Sequence, residues 1–409
     1  MKIAIFSDCY LDLTGGITTS INAEKAELEK RGHTVYIFSS AYPRSKEARA
    51  KLAEKNIFPV PSCHILLRGL TPVAYFPKIV MGWCEKNFPE LADFDIFYIH
   101  YEANCSIAGL KLAKKYSIPS VQVMHGREDM GETNIVPFGF ETLVASFLSF
   151  YHSLFIPHKT KVRRDNYLAN SFAKAKMWSV MANHANFADV VLTPSKHFAK
   201  KLEHYGVSHK IIPLPNGVDD ELFEKDLKPR VLEPEKPLKI IWHSRVSAEK
   251  RMMPFLKALA KVKGKYQLDV YGGGGDYFRA KRFARRHNLN VKFHGNTKFK
   301  TVFRELKKSH LDVLVSYNFD TFGMTLAEAE AVGVPTFIVD PDLKETVSRG
   351  GFVISDSPSP EDMAAALDDL ISHPERIEKM SRILLRNRDS ARISRRIDRL
   401  EKIFRLAQL

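Results

Sequence analysis

One pattern occurs twice along this chain: short apolar runs separated by helical stretches. Residues 3–6, 35–38, 96–99 and 121–124 are short, mostly apolar runs. Such runs suit strands buried on both sides of a parallel sheet. Residues 18–31 between the first two carry a helical pattern that closes at Arg31-Gly32, and glycine suits a helix C-terminus. Residues 190–193 add a further strand. A second series begins at residue 238, with strands expected at 239–243, 266–271, 291–294, 313–316 and 336–339 and helices at 253–262 and 326–332. The intervening 225–237 are charged, hold three prolines and show no period, as a linker does. The pattern therefore predicts two doubly wound, Rossmann-like α/β domains, 1–224 and 238–385, facing across a cleft. A basic helix over 386–409 is expected to follow and pack back on the first domain. A chain of 409 residues is long enough for two such cores.

The charge narrows the partners. The formal net charge is +15, of which the first 175 residues carry only +4. A positive field favours anionic partners. The densest run contains Arg386, Arg388, Arg392, Arg395, Arg396 and Arg399. It reads equally as a solvated helix face and as a surface for an anionic ligand. No groove-reading motif accompanies it, which argues against nucleic acid. The four cysteines form no C-x-x-C pair and neighbour no histidine at ligand spacing, so neither a disulfide framework nor a zinc site is expected. Asp93-x-Asp95 and Asp340-x-Asp342 are read as structural, and no metal site is expected. The apolar start is too short for a signal peptide. The most apolar window, 143–157, is too short to span a bilayer. A cytoplasmic protein is expected.

In open parallel sheets, ligands bind beyond the carboxyl ends of the strands, so the residues there carry the chemistry. Gly15 and Gly16 follow the first strand and precede a helix, where backbone amides can approach a phosphate. The full G-x-G-x-x-G fingerprint is absent, which removes support for a dinucleotide cofactor. Arg245 and Lys250 follow the strand at 239–243, and two cations there can clamp a diphosphate and stabilise it as a leaving group. After the strand at 313–316 comes a stretch with Asp320, Phe322, Gly323, Met324, Thr325 and Glu328. Gly323 stands where a helix should begin, with free amides facing a sugar or phosphate. Asp320 and Glu328 are acceptors suited to sugar and ribose hydroxyls. His125, past the strand at 121–124, can donate to a hydroxyl or shuttle a proton.

Taken together these features are more specific than any one of them. Asp8 with Thr14-Gly15-Gly16, Thr193-Pro194-Ser195, Pro215-Asn216-Gly217-Val218-Asp219, Arg245 with Glu249-Lys250, Asp320-Thr321-Phe322-Gly323 with Glu328-Ala329, and Gly333-Val334-Pro335 fall in one order. That order resembles retaining glycosyltransferase family 4, of the two-domain GT-B type, over nearly the whole chain. The nearest flavour is that of bacterial diacylglycerol glucosyltransferases. The resemblance implies a nucleotide-diphosphate sugar as donor, UDP-glucose first, with no further cofactor. Arg245 and Lys250 would hold its diphosphate, Glu328 its ribose and Asp320 its sugar. The amides of Phe322, Gly323, Met324 and Thr325 would bind the sugar and β-phosphate. Gly15 and Gly16 would approach the phosphate, and His125 would sit beside the transferred sugar. Three positions depart from the family pattern: Asp320 replaces a glutamate, Ser244 a glycine, and residues 272–275 are four glycines in place of Gly-x-Gly.

The acceptor side falls in residues 40–185. Residues 66–70, 74–76 and 143–157 are mostly apolar or aromatic, and Lys159, Lys161, Arg163 and Arg164 follow. That combination suits docking on an anionic membrane surface, and a buried helix followed by a solvated loop fits it too. The expected reaction is hexose transfer to a lipid hydroxyl by a peripheral enzyme at the inner face of the plasma membrane. Transfer to a polysaccharide, soluble sugar or protein, and a sugar-nucleotide epimerase, are the alternatives.

Overall fold

The structure is a computed structural model that describes residues 1–8, 16–40, 46–63, 73–129 and 139–409. It divides into two compact units, residues 1–215 with 396–409, and residues 216–395.

The first unit is built on β1 (Lys2–Ser7), β2 (Thr34–Ser39), β3 (Ile57–Pro59), a small antiparallel pair β4 (Ser62–Cys63) and β5 (Val73–Ala74), then β6 (Ile96–His100), β7 (Ser120–Val123), β8 (Val190–Thr193) and β9 (Ile211–Pro213). Its main sheet has seven parallel strands in the order β3-β2-β1-β6-β7-β8-β9. The apolar runs fill the interior: Phe6, Phe38 and Phe97 are fully buried, and Phe6 stacks on Phe38 at 4.8 Å between ring centres. The helix Asn104–Tyr116 lies so close that a Cβ on Gly109 would come within 2.5 Å of the Phe6 ring. Only glycine permits that approach.

The second unit holds β10 (Leu238–Trp242), β11 (Tyr266–Tyr271), β12 (Val291–Gly295), β13 (Leu311–Leu314), β14 (Thr336–Ile338) and β15 (Phe352–Ile354). All six strands are parallel, in the order β12-β11-β10-β13-β14-β15. In both sheets the order reverses beside the first strand, which opens a crevice at the carboxyl edge. Residues 225–237, expected to be a linker, lie against this unit. Leu232 joins its core, and Arg230 donates to the Val332 carbonyl at 3.1 Å.

The basic C-terminal segment forms two helices, Glu375–Asn387 and Ile393–Ala407. Its arginines are not simply a solvated face. Arg388 is buried and donates to the Ala331 carbonyl at 3.0 Å. Arg396 is buried in the first unit, where it pairs with Glu24 at 3.0 Å and donates to the carbonyls of Leu214 and Pro215. No described helix is long and apolar enough to cross a membrane.

Candidate functional site

The carboxyl edge of the second sheet gathers most of the residues singled out in the sequence. β10 ends at Trp242, and the loop after it carries His243, Ser244 and Arg245 before a short 3-10 turn, Ala248–Lys250. The four-glycine run explains how this loop is held. Gly272 and Gly274 have φ of +139° and +147°, and a Cβ on either would fall 2.2 Å from the Ser244 carbonyl oxygen or 2.4 Å from that of Val246. The Val246 amide donates to the Gly273 carbonyl at 2.8 Å. The glycines are thus a backbone-to-backbone seat for the Arg245 loop.

Lys250 Nζ lies 2.6 and 2.8 Å from the two carboxylate oxygens of Asp320, and the Ser316 hydroxyl also donates to that carboxylate. Lys250 also sits 5.5 Å above the centre of the Phe319 ring. Arg245 is the opposite case. Its side chain is 66% exposed and meets Glu249 at 3.2 Å, which leaves most of the guanidinium open to a ligand. The helix Met324–Ala331 starts from Gly323, whose φ of +79° glycine adopts at no steric cost. Helix geometry leaves the amides of Met324 and Thr325 without a carbonyl in their own helix. The Thr325 hydroxyl is buried with no hydrogen-bond partner. Phe322 is buried, and its carbonyl accepts from the Thr346 hydroxyl at 2.5 Å.

Glu328 stands one turn into this helix, buried, with an oxygen 3.4 Å from His243 Nδ1. The other ring nitrogen of His243 approaches buried Asp312 at 3.1 Å, without hydrogen-bond alignment. Burial pushes the Glu328 carboxyl up to about 7, with His243 opposing and Asp312 reinforcing the rise. Burial alone would lower the His243 pKa, but Asp312 and then Glu328 outweigh it and raise it. His243 and Asp312 escaped the sequence reading because both look like strand residues. Their signal is the register: Asp312 on β13 pairs with Ile241 on β10, two residues before His243.

His125 and Gly16 belong to the first unit. Gly16 opens the helix Gly16–Lys30, and Gly15 lies outside the described residues. His125 is buried, and its Nε2 lies 2.7 Å from Nδ1 of His100 with the rings stacked. Burial, then His100, lowers the His125 pKa well below the ordinary histidine value, so the ring is neutral. Asp8 takes the amides of Ala103, Cys105 and Ser106 at 3.2, 2.7 and 3.1 Å, which anchors the N-terminus of the helix Asn104–Tyr116. The two D-x-D pairs hold backbone: Asp95 accepts the Lys2 amide at 2.6 Å, and Asp340 accepts the amides of Asn318 and Asp342.

Residues 14–222 match Glycosyltransferase Family 4, and residues 223–384 match Glycosyl transferases group 1. Two curated relatives bear the name alpha-monoglucosyldiacylglycerol synthase. The Acholeplasma laidlawii protein is 31% identical over 128 residues, which is 31% of this chain and 30% of the relative. The Streptococcus pneumoniae protein is 23% identical over 292 residues, 67% of this chain and 56% of the relative. These matches span less than two thirds of either relative's length. Among solved structures, HepE of Anabaena in complex with UDP is similar at a TM-score of 0.69 and 15% identity, covering 100% of both chains. The pneumococcal O-GlcNAc transferase GtfA in complex with UDP and GlcNAc gives 0.69 at 12% identity, covering 100% of this chain and 99% of that one. At such identities the likeness speaks for the fold, which is the GT-B fold. With its two parallel α/β units and a match over more than half its length, the chain belongs to Glycosyltransferase Family 4.

Proposed function

We propose that this protein is a retaining hexosyltransferase that carries glucose from UDP-glucose to the hydroxyl of a membrane lipid such as diacylglycerol. The observation that carries the reading is the convergence of Lys250, Asp320, the glycine-opened helix and Glu328 at one sheet edge. In it, Glu328 accepts the ribose hydroxyls and Asp320 contacts the sugar. The amides of Phe322, Gly323, Met324 and Thr325 receive sugar and β-phosphate oxygens. Arg245 and Lys250 neutralise the charge that grows on the departing diphosphate, where a transition state gains most. The acceptor oxygen attacks C1 on the face the diphosphate leaves. The C1–O bond to phosphate breaks, and the acceptor proton passes to the departing phosphate oxygen. His125, neutral and in the first unit, donates a hydrogen bond to the transferred sugar. Two cations at the leaving group make a metal unnecessary, so activity persists in EDTA.

The lipid acceptor rests on the two similarly named relatives and on the helix Glu141–Ser153. Leu143, Phe147 and Phe150, with Leu154 just beyond, fall on one face and are exposed, while Ala145, Ser149 and His152 face inward. Exposed apolar stripes of this kind mark interaction surfaces. Lys159, Lys161, Arg163 and Arg164 follow and are exposed, which suits an anionic headgroup layer. Residues 66–70 of the expected acceptor region lie outside the described residues. The test is nucleotide release from a panel of UDP- and GDP-sugars in EDTA, with and without diacylglycerol in anionic liposomes. Release that needs one donor and the lipid supports the reading. Donor-specific release without lipid dependence moves the acceptor to soluble sugars, polymers or proteins, and no release from any donor refutes the transferase.

A further inference from the structure

The carboxyl edge of the first sheet carries polar groups that the donor site does not use. In-register pairing places Ser39, Ser7 and His100 in one row across β2, β1 and β6. Glu102 follows two residues past that row, beyond Tyr101 with its φ of +85°. The Glu102 side chain is buried, only 8% of the residue being exposed, and neither carboxylate oxygen has a hydrogen-bond partner. Nε2 of His100 is likewise buried and unpartnered, while Nδ1 of the same ring meets His125.

The neighbouring acids differ. Asp8 is taken up by three amides and the Ser106 hydroxyl, and Glu128 accepts the Tyr101 hydroxyl at 3.0 Å. Of the three acids that sense one another here, Glu102 is the one whose oxygens are both unmatched. Native interiors rarely leave such a group unpaired, and the exceptions concentrate at sites of function. Burial first, then the charges of Glu128 and Asp8, push the Glu102 carboxyl well above the ordinary range. It is therefore a neutral acid, with one O–H to donate and one carbonyl oxygen to accept. A hydroxyl group gives and takes one hydrogen bond in the same way. None of the groups named here is a cation that could meet a phosphate-bearing ligand.

We propose that Glu102, with the adjoining His100 ring, binds a hydroxyl of an uncharged acceptor substrate in the first unit. This rests on the transferase reading above and names what its acceptor site recognises. A neutral lipid hydroxyl and a neutral sugar hydroxyl share that chemistry.

The experiment compares the full-length protein with E102A and E102Q. Transfer from UDP-glucose is measured to diacylglycerol in phosphatidylserine vesicles, to soluble maltose, and to phosphatidylinositol as an anionic hydroxyl lipid. UDP affinity and melting temperature are measured alongside. The expected result is a drop of at least tenfold in kcat/KM for the neutral acceptor in E102A. E102Q, whose amide keeps one donor and one acceptor in place, stays within about threefold of wild type. Both variants bind UDP as the wild type does and melt no lower, since each removes a buried unpaired acid. Wild-type acceptor kinetics in E102A overturn the assignment, and so does transfer to phosphatidylinositol in preference to the neutral acceptors. Transfer to maltose and not to diacylglycerol removes the lipid from the proposed function, and the same variant series on maltose then decides the role of Glu102. No transfer to either neutral acceptor overturns the assignment, and nucleotide release in the same reactions tells whether the donor reading falls with it.

Discussion

Binding of UDP-glucose is expected to tighten about tenfold between pH 6 and pH 8, and Glu328→Gln is expected to flatten that slope. Burial holds the Glu328 carboxyl at about 7, against an ordinary value near 4.3. Only the ionised form accepts hydroxyl hydrogens on both oxygens. If the nucleotide needs that form, the apparent Kd scales as one plus ten to the power of pKa minus pH. That gives a factor of about eleven at pH 6, two at pH 7 and near one at pH 8, a span of about 1.4 kcal/mol. Because Glu328 lies 3.4 Å from His243, itself against Asp312, the titration belongs to the cluster. The glutamine variant removes one member and keeps its shape. Stability should run the other way. The folded chain holds this proton more tightly than the unfolded one, so the contribution is full below about pH 4.5 and is lost as pH rises through 7. The raised His243 adds a loss of the same sign as pH climbs past its ordinary 6.5. The loss is up to about 3 kcal/mol. Calorimetric titration of UDP-glucose at pH 6, 7 and 8 at fixed salt checks the binding arm, since that diphosphate diester does not itself ionise in this range. A Kd that is flat or weaker at pH 8, or a wild-type slope in the glutamine variant, would refute the argument.

Arg245→Ala and Lys250→Ala should each lower kcat/KM for the donor by about 10²–10³-fold, read by nucleotide release. A loss below tenfold in either would take that cation off the diphosphate, and the Lys250 variant should also melt lower because Asp320 keeps its charge without its partner. Gly323→Ala should cost about 1–2 kcal/mol in denaturant unfolding, because φ is +79° and the new methyl would stand 2.8 Å from Leu314. Unchanged stability would mean the helix start can relax. Replacing Phe147 and Phe150 together by glutamate should reduce flotation with anionic vesicles at least tenfold while UDP affinity holds. Full flotation would move the membrane contact off the helix Glu141–Ser153.

The central strands were legible because they are short runs rich in apolar residues. Expected runs at 3–6, 35–38, 96–99, 190–193 and 266–271 lie within or coincide with β1, β2, β6, β8 and β11. In the two large sheets the strands without such a signal are β3, β9 and β15, all edges of three residues, and the first two end in proline. An edge strand needs no second apolar face, and proline is tolerated there, so the periodicity that marks a buried strand is missing. The run expected at 313–316 begins two residues late. β13 opens at Leu311 and includes Asp312, a buried acid that breaks the apolar reading.

That late start shows why the site was only half visible. Lys250, Asp320, Gly323 and Glu328 stand out in sequence because a cation, an acid or a glycine falls in the stretch just past a strand, where ligands bind in open parallel sheets. Asp312 and His243 modulate the titration that burial imposes on Glu328, yet they sit inside or just at the end of strands, where a polar residue reads as an interruption. Glu102 is harder still. Next to Tyr101 and Ala103 it looks like an ordinary surface acid, and nothing in spacing says that both its oxygens are shut away from water. Linear order reports which groups are available at a sheet edge. It cannot report which of them are left without a hydrogen-bond partner once the strands are laid in register; among the described residues Thr325 in the second unit and Glu102 with His100 in the first are of that kind, as are Ser39, Ser244 and Asp312.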